Sequence, residues 1–120
     1  MQLKHQILTM QEADVVLTPI PQADGTIKNR PVLLLRELPP YADFLVCGVS
    51  TQLHQQVPDF DDIISPSDPD FAASGLRSQS LIRLGFLAVV PRNQIIGSIG
   101  PISSEPHQRL LKTLSDYLVN

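Results

Sequence analysis

The sequence predicts a mostly β domain, largely antiparallel, closed by one amphipathic helix at its C-terminal end. Three observations predict it. Short apolar runs rich in Val, Ile and Leu, bounded by Pro, Gly or Asp, recur between residues 14 and 102. After Ser103 the apolar spacing turns from strand-like to helical. A chain of 120 residues with 42% hydrophobic content can bury one core without disulfide or metal support. No repeat, low-complexity tract or linker divides it. Residues 1–120 therefore read as one domain, with 1–11 an N-terminal extension and 103–119 the terminal helix.

Taken in order, residues 1–11 carry apolar side chains at 3, 7, 8 and 10, a loose helical spacing that fits a helical stub or a packed arm. Residues 14–20, DVVLTPI, are β-branched and end at Pro19 and Pro21, which cannot donate to a ladder, so a strand with an irregular exit is expected. Gln22 to Asn29 read as a loop around the turn signal Asp24-Gly25, long enough to carry function. Lys28, Asn29 and Arg30 then stand where this loop meets a strand, 31–36, that is almost continuously apolar and so central. Leu38-Pro39-Pro40 breaks that strand. Residues 42–50 form a third, buried on both faces, which emerges at Ser50, Thr51 and Gln52. A short strand at 61–65 precedes a Pro- and Asp-rich loop through Asp70. Residues 76–90 are strand material with a bulge or close approach marked by Gly85, and 94–102 is a last short strand. Ser103 or Ser104 caps a helix with Glu105 and Pro106 in its first turn and a stripe of Leu110, Leu111, Leu114 and Leu118 facing the core.

Composition narrows the function classes. Residues 1–11 lack the charged start and long apolar core of a secretory signal, and no apolar run reaches the ~18–20 residues that cross a bilayer. A cytoplasmic protein with no membrane partner is expected. A net charge of −3 argues against coating nucleic acid by bulk electrostatics. It leaves room for a local phosphate site, because five of the twelve acids crowd into residues 59–70, leaving Lys28, Arg30, Arg77 and Arg83 in a nearly neutral remainder. Arg77 and Arg83 are candidates to line a nucleic-acid groove. Asp59, Asp61, Asp62, Asp68 and Asp70 lack the glycine and terminal glutamate of a calcium loop, and Pro58, Pro66 and Pro69 break the spacing, so they read as a solvated acidic loop. The single cysteine, Cys47, lies in an apolar run and reads as a small hydrophobe rather than a nucleophile. His5, His54 and His107 show no ligand spacing, and no metal or cofactor is expected; His54, just past Ser50, is a candidate proton carrier.

Five segments then resemble a known family. ADVVLTPI stands where that family has a Gly-Asp-Val/Ile opening, DGTIKNRPVLLL resembles its loop and Arg-Pro strand, and VCGVSTQ its Thr-x-Gln segment. SGLRSQSLIRL and IIGSIGPIS, with the helix behind them, resemble its ending. In this order, over residues 12–118, they are similar to the MazF/PemK-like endoribonuclease toxins of toxin–antitoxin systems. The resemblance implies an SH3-like barrel with a C-terminal helix, usually a homodimer. It implies metal-independent cleavage of single-stranded RNA, in which the RNA's own 2′-hydroxyl attacks the adjacent phosphorus. It also implies a cognate antitoxin whose acidic tail lies over the site.

Carried over residue by residue, the family's arginine falls on Arg30, whose rigid guanidinium fork suits a phosphate and stays charged. Its hydroxyl residue falls on Ser50, with Thr51 beside it, and RNA contacts fall on Lys28, Asn29, Gln52, Arg77 and Gln79. Three positions depart from the pattern. Ala13 replaces a glycine, and Gln79 and Gly85 stand where many members carry acids. A catalytically degenerate relative that binds antitoxin or nucleic acid is therefore the alternative expectation. A topoisomerase-poisoning toxin on the related barrel comes third, since the Arg-Pro loop favours the ribonucleases.

Overall fold

The computed structural model describes residues 10–120. The expectation for residues 1–9 lies outside them. The β-branched run Asp14–Pro21 forms β1, and Ile27–Leu38 forms β2, paired antiparallel from Val15 opposite Leu33 to Pro21 opposite Ile27. The turn between them is shorter than the sequence implies. Asp24 accepts hydrogen bonds from both the backbone N–H and the hydroxyl of Thr26 (3.0 and 2.6 Å), and the Gln22 N–H donates to the Thr26 carbonyl at 2.7 Å. That closure confines the turn to residues 22–26, so Lys28, Asn29 and Arg30 belong to β2 and not to a loop.

Four further strands complete one antiparallel sheet: β3 (Asp43–Ser50), β4 (Asp62–Ile64), β5 (Ser80–Val90) and β6 (Gly97–Pro101), in the order β4-β5-β3-β2-β1-β6. Leu76–Gln79 stay outside β5, and a short 3-10 turn, Arg92–Gln94, takes the start of the expected last strand. The sheet curls as an open half-barrel. Its β4 end is carried to its β6 end by the 3-10 turn Ala72–Ser74, which packs on β6. A Cβ at Gly75 would overlap the Ile99 carbonyl, and one at Gly100 the Ala73 carbonyl, so close backbone approach demands glycine at both.

The continuous apolar runs of β2 and β3 are explained by burial on both faces. One face carries Val15, Leu33, Leu35, Cys47 and Ile82 under the terminal helix, α1 (Ser104–Val119), whose Leu110 and Leu114 complete that core. The other carries Val16, Val32, Leu34, Phe44 and Val46, covered by Met10 and Ile95. Each fully buried Leu or Val contributes roughly 1.5–3 kcal/mol. The stripe on α1 stops early: Leu111 is half-buried, and Leu118 is 68% exposed because the last turn runs past the core beneath it.

Two bulges shape the sheet. In β2 the register shifts between Leu34 and Arg36, and the Leu35 carbonyl meets the buried His107 Nε2 of α1 at 2.9 Å. In β5 the register jumps between the partners of Cys47 and Gly48, Leu87 and Arg83, so Leu84, Gly85 and Phe86 are looped out. This is the irregularity expected at Gly85. The Leu84 N–H, removed from the ladder, is satisfied by Asp61 Oδ1 at 3.0 Å.

Candidate functional site

Strand alternation assembles the site. Along β2, Val32 and Leu34 face the second core, so Arg30 and Lys28 continue the same face outward. Along β3, Phe44 and Val46 face it too, and Gly48 and Ser50 follow in the same alternation. The β2–β3 ladder ends at Val32 opposite Gly48; Arg30 and Ser50 each lie two residues beyond that last pair, where the strands part. In β5, Arg83 pairs with Gly48 and Leu81 with Ser50. One sheet face thus presents Lys28, Arg30, Ser50 and Arg83. Pro31 marks its border. Beyond Val32, β2 has only β1 as a ladder partner, so the missing N–H of Pro31 forfeits no bond toward β3.

The charges on this face differ from those elsewhere. Among the described residues, Arg36, Arg92, Arg109 and Lys112 each hold a carboxylate, through Glu12, Glu37, Asp62 and Asp116. Lys28, Arg30, Arg77 and Arg83 hold none. Arg30 is exposed but tethered: its guanidinium donates to Gln22 Oε1 at 3.1 Å, while Gln22 Nε2 donates to the Ile20 carbonyl at 2.8 Å. The fork is aimed by a neutral side chain and keeps most of its donors for a ligand.

Ser50 Oγ accepts the Gln52 N–H at 3.0 Å, a turn contact that fixes the oxygen and leaves its proton to donate. Thr51 and Gln52 are exposed at the bend that follows, leading into the 3-10 turn Leu53–Gln55, where His54 is also exposed. Asn29 pairs with Pro19 and points to the opposite face of the ribbon from Lys28 and Arg30. Gln79 lies in the exposed approach to β5, two residues before the partner of Ser50; Arg77 is exposed further upstream. The structure therefore gathers Lys28, Arg30 and Ser50, keeps Thr51, Gln52 and Gln79 at the Ser50 end, and turns Asn29 away.

Cys47 and Asp24 have structural roles. Cys47 is wholly buried, and burial, with Asp61 adding to it, pushes its thiol up to about 12, so it is no nucleophile at neutral pH. Asp24 is held below the usual carboxylate range by its hydrogen bonds to Thr26, in keeping with a structural turn. Among the described residues no cluster of three His, Cys, Asp or Glu side chains could hold a metal ion. A cavity of about 210 Å³ lies elsewhere, between Ile63, Asp68 and the start of α1 at Ser103 and Arg109; the site is an open face.

Two neighbours of this face escaped the sequence reading. Gln22 looks like any loop glutamine until the turn closes and sets it beside Arg30. Phe86 reads as strand core, yet at the β5 bulge it is partly exposed, its ring 3.3 Å from where a Cβ on Gly48 would stand.

No protein-family model matches this chain, and no curated protein matches it. Solved structures do. An endoribonuclease in complex with its cognate antitoxin, from Mycobacterial species, superposes with a TM-score of 0.68 at 10% identity, over 92% of this chain and 96% of its own. Mycobacterium tuberculosis toxin MazF-mt6 superposes with a TM-score of 0.63 at 19% identity, over 88% of this chain and 96% of its own. Over that span, sheet and terminal helix together, the chain has a MazF-like fold.

Proposed function

We propose that this chain is an endoribonuclease toxin that cleaves single-stranded RNA on the Arg30–Ser50 face. The observation that carries the reading is the exposed, carboxylate-free Arg30, held by Gln22 on the same sheet face as Ser50 and Arg83. Such a group is built for an anion supplied from outside. In the proposed reaction the 2′-oxygen of one nucleotide attacks the adjacent phosphorus, and the bond from phosphorus to the 5′-oxygen breaks. The products are a 2′,3′-cyclic phosphate and a free 5′-hydroxyl, the departing oxygen taking its proton from solvent. Arg30 stabilises the charge that builds on the equatorial oxygens, and the Ser50 hydroxyl holds a phosphate oxygen in line. Neither Gln79 nor Gly85 can take the 2′-hydroxyl proton. His54, an exposed imidazole four positions past Ser50, takes that role.

Lys28, Arg30 and Arg83 on that face, none of them held by a carboxylate among the described residues, suit the acidic segment of an antitoxin, which folds as it binds. The structurally similar Mycobacterial endoribonuclease is itself bound to its antitoxin. Exposed Tyr117, Leu118 and Val119 at the end of α1 are apolar surface that a homodimer would bury. The reaction belongs in the cytoplasm, where its RNA is. Incubating the full chain with a long single-stranded RNA in EDTA tests the proposal. Fragments ending in cyclic phosphate and 5′-hydroxyl are expected; intact RNA, or cleavage that appears only with added metal, refutes it.

A second reading is favoured by Gln79 and Gly85, which supply no acid. It holds that the face binds an acidic partner without cleaving. Gly85 is exposed and a Cβ there meets nothing within 4 Å, so Gly85→Glu fits without strain. RNA cleavage by that variant, with none by the parent, would establish this second reading.

A further inference from the structure

We infer that Phe86 is the platform on which an RNA base stacks beside the reacting phosphate, and so helps to choose the site of cleavage. The inference rests on the proposed RNA-cleaving face and adds a second kind of contact to it. The bulge in β5 loops out Leu84, Gly85 and Phe86 between the partners of Cys47 and Gly48. Phe86 turns back over Gly48, its Cδ1 3.3 Å and its Cβ 3.4 Å from where a Gly48 Cβ would stand. A side chain at position 48 would lift the ring; glycine lets it lie on the sheet. Because Gly48 and Ser50 share a strand face, the ring sits one pleat repeat, about 7 Å, from Ser50. That is the scale on which a nucleotide separates its base from its phosphate.

Charge and exposure favour a nucleobase over another occupant. Phe86 is 36% exposed although it packs on backbone, so part of its surface stays open to a flat partner. The side chains that share its face, Arg30, Lys28 and Arg83, are cations without carboxylates. An aromatic ring among unpaired cations is the combination that binds single strands: the cations follow the phosphates and the ring takes a base.

The test uses the full chain and a short RNA spanning its mapped cleavage site, intact or with an abasic nucleotide at each position flanking the cleaved bond. Phe86→Ala is expected to raise KM for intact RNA by roughly 5- to 150-fold, the span of one lost stack, with kcat changed only a few-fold. One abasic position should impose the same penalty on the parent and none on Phe86→Ala, and Phe86→Trp should restore binding. An abasic penalty that is undiminished in Phe86→Ala overturns the inference and leaves the RNA-cleaving face standing. If Phe86→Ala instead lowers self-association in sedimentation while RNA kinetics are unchanged, the ring belongs to a protein interface and the inference fails. If the parent neither binds nor cleaves RNA, the proposed function falls and this inference with it.

Discussion

Replacing Ala13 with glycine should stabilise the protein, and the reason lies in one backbone angle. Ala13 has φ of +78°, in the left-handed region. It is held there from both sides: its N–H donates to the Leu34 carbonyl at 2.8 Å, and its carbonyl accepts the Ile102 N–H at 2.9 Å. An L-residue in that conformation is destabilised by roughly 1–2 kcal/mol, a strain glycine does not feel. Against that relief, glycine makes the unfolded chain more flexible, costing about 0.4–1 kcal/mol. Loss of the half-buried methyl, which packs against the first core, costs a further few tenths by the ~0.8 kcal/mol assigned to a fully buried CH₂. The balance is a gain of about 0.5 kcal/mol, or roughly 2 °C in Tm. Ala13→Val should move the other way by about 2 kcal/mol or more, since a β-branched side chain is poorly tolerated at positive φ. Urea unfolding of the three proteins measures both. A glycine variant less stable than the parent by more than about 0.5 kcal/mol would refute the reasoning. The position is also where the resembled family carries glycine, so the departure becomes a backbone cost with no change at the site.

Other predictions concern the helix anchor, the thiol and the arginine tether. His107→Phe leaves the Leu35 carbonyl without its partner and should cost about 1–3 kcal/mol in chemical denaturation. Cys47 should resist thiol reagents at pH 8 in the folded protein and react at once when it is unfolded. Its thiol titrates about 12 in the folded state against 9.0 normally, so the unfolded chain gives up the proton first. Stability should therefore fall as pH rises from 9 towards 12, by up to about 1.4 kcal/mol per unit, and Cys47→Ala should lose that component. Gln22→Leu removes the acceptor that aims Arg30 and should slow RNA cleavage by roughly 2- to 10-fold, mainly in kcat, with the fold's Tm nearly unchanged.

Much of the fold could be read from residue pattern alone. Unbroken apolar runs such as PVLLL and FLVC mark strands buried on both faces, and the switch to helical spacing after Ser103 marks α1. The errors have local causes. Thr26 looks like loop, but its two bonds to Asp24 close the turn and add residues 27–30 to β2. Leu118 fits the stripe, yet nothing in periodicity tells where the underlying core ends. Arg30 and Ser50 were legible as candidates, because an Arg-Pro strand start and a hydroxyl at a strand exit carry chemical meaning. That both lie just beyond the same end of the β2–β3 ladder was not legible, since cross-strand register depends on where the Leu35 bulge consumes its extra residue. The exposure of Phe86 was hidden too, since it sits in a bulge three residues long in the register with β3, which no residue pattern announces.

The proposed chemistry depends first on Arg30. Single-turnover cleavage of one defined RNA by the parent, by Arg30→Ala and by Arg30→Lys tests it most directly. We predict a rate loss of about a hundredfold to a thousandfold in Arg30→Ala, the worth of a charge stabiliser in the transition state, with an unchanged melting curve because the guanidinium is exposed. Arg30→Lys should recover only part of the rate, since a point charge lacks the planar fork. Cleavage by Arg30→Ala at the parent's rate would contradict the account.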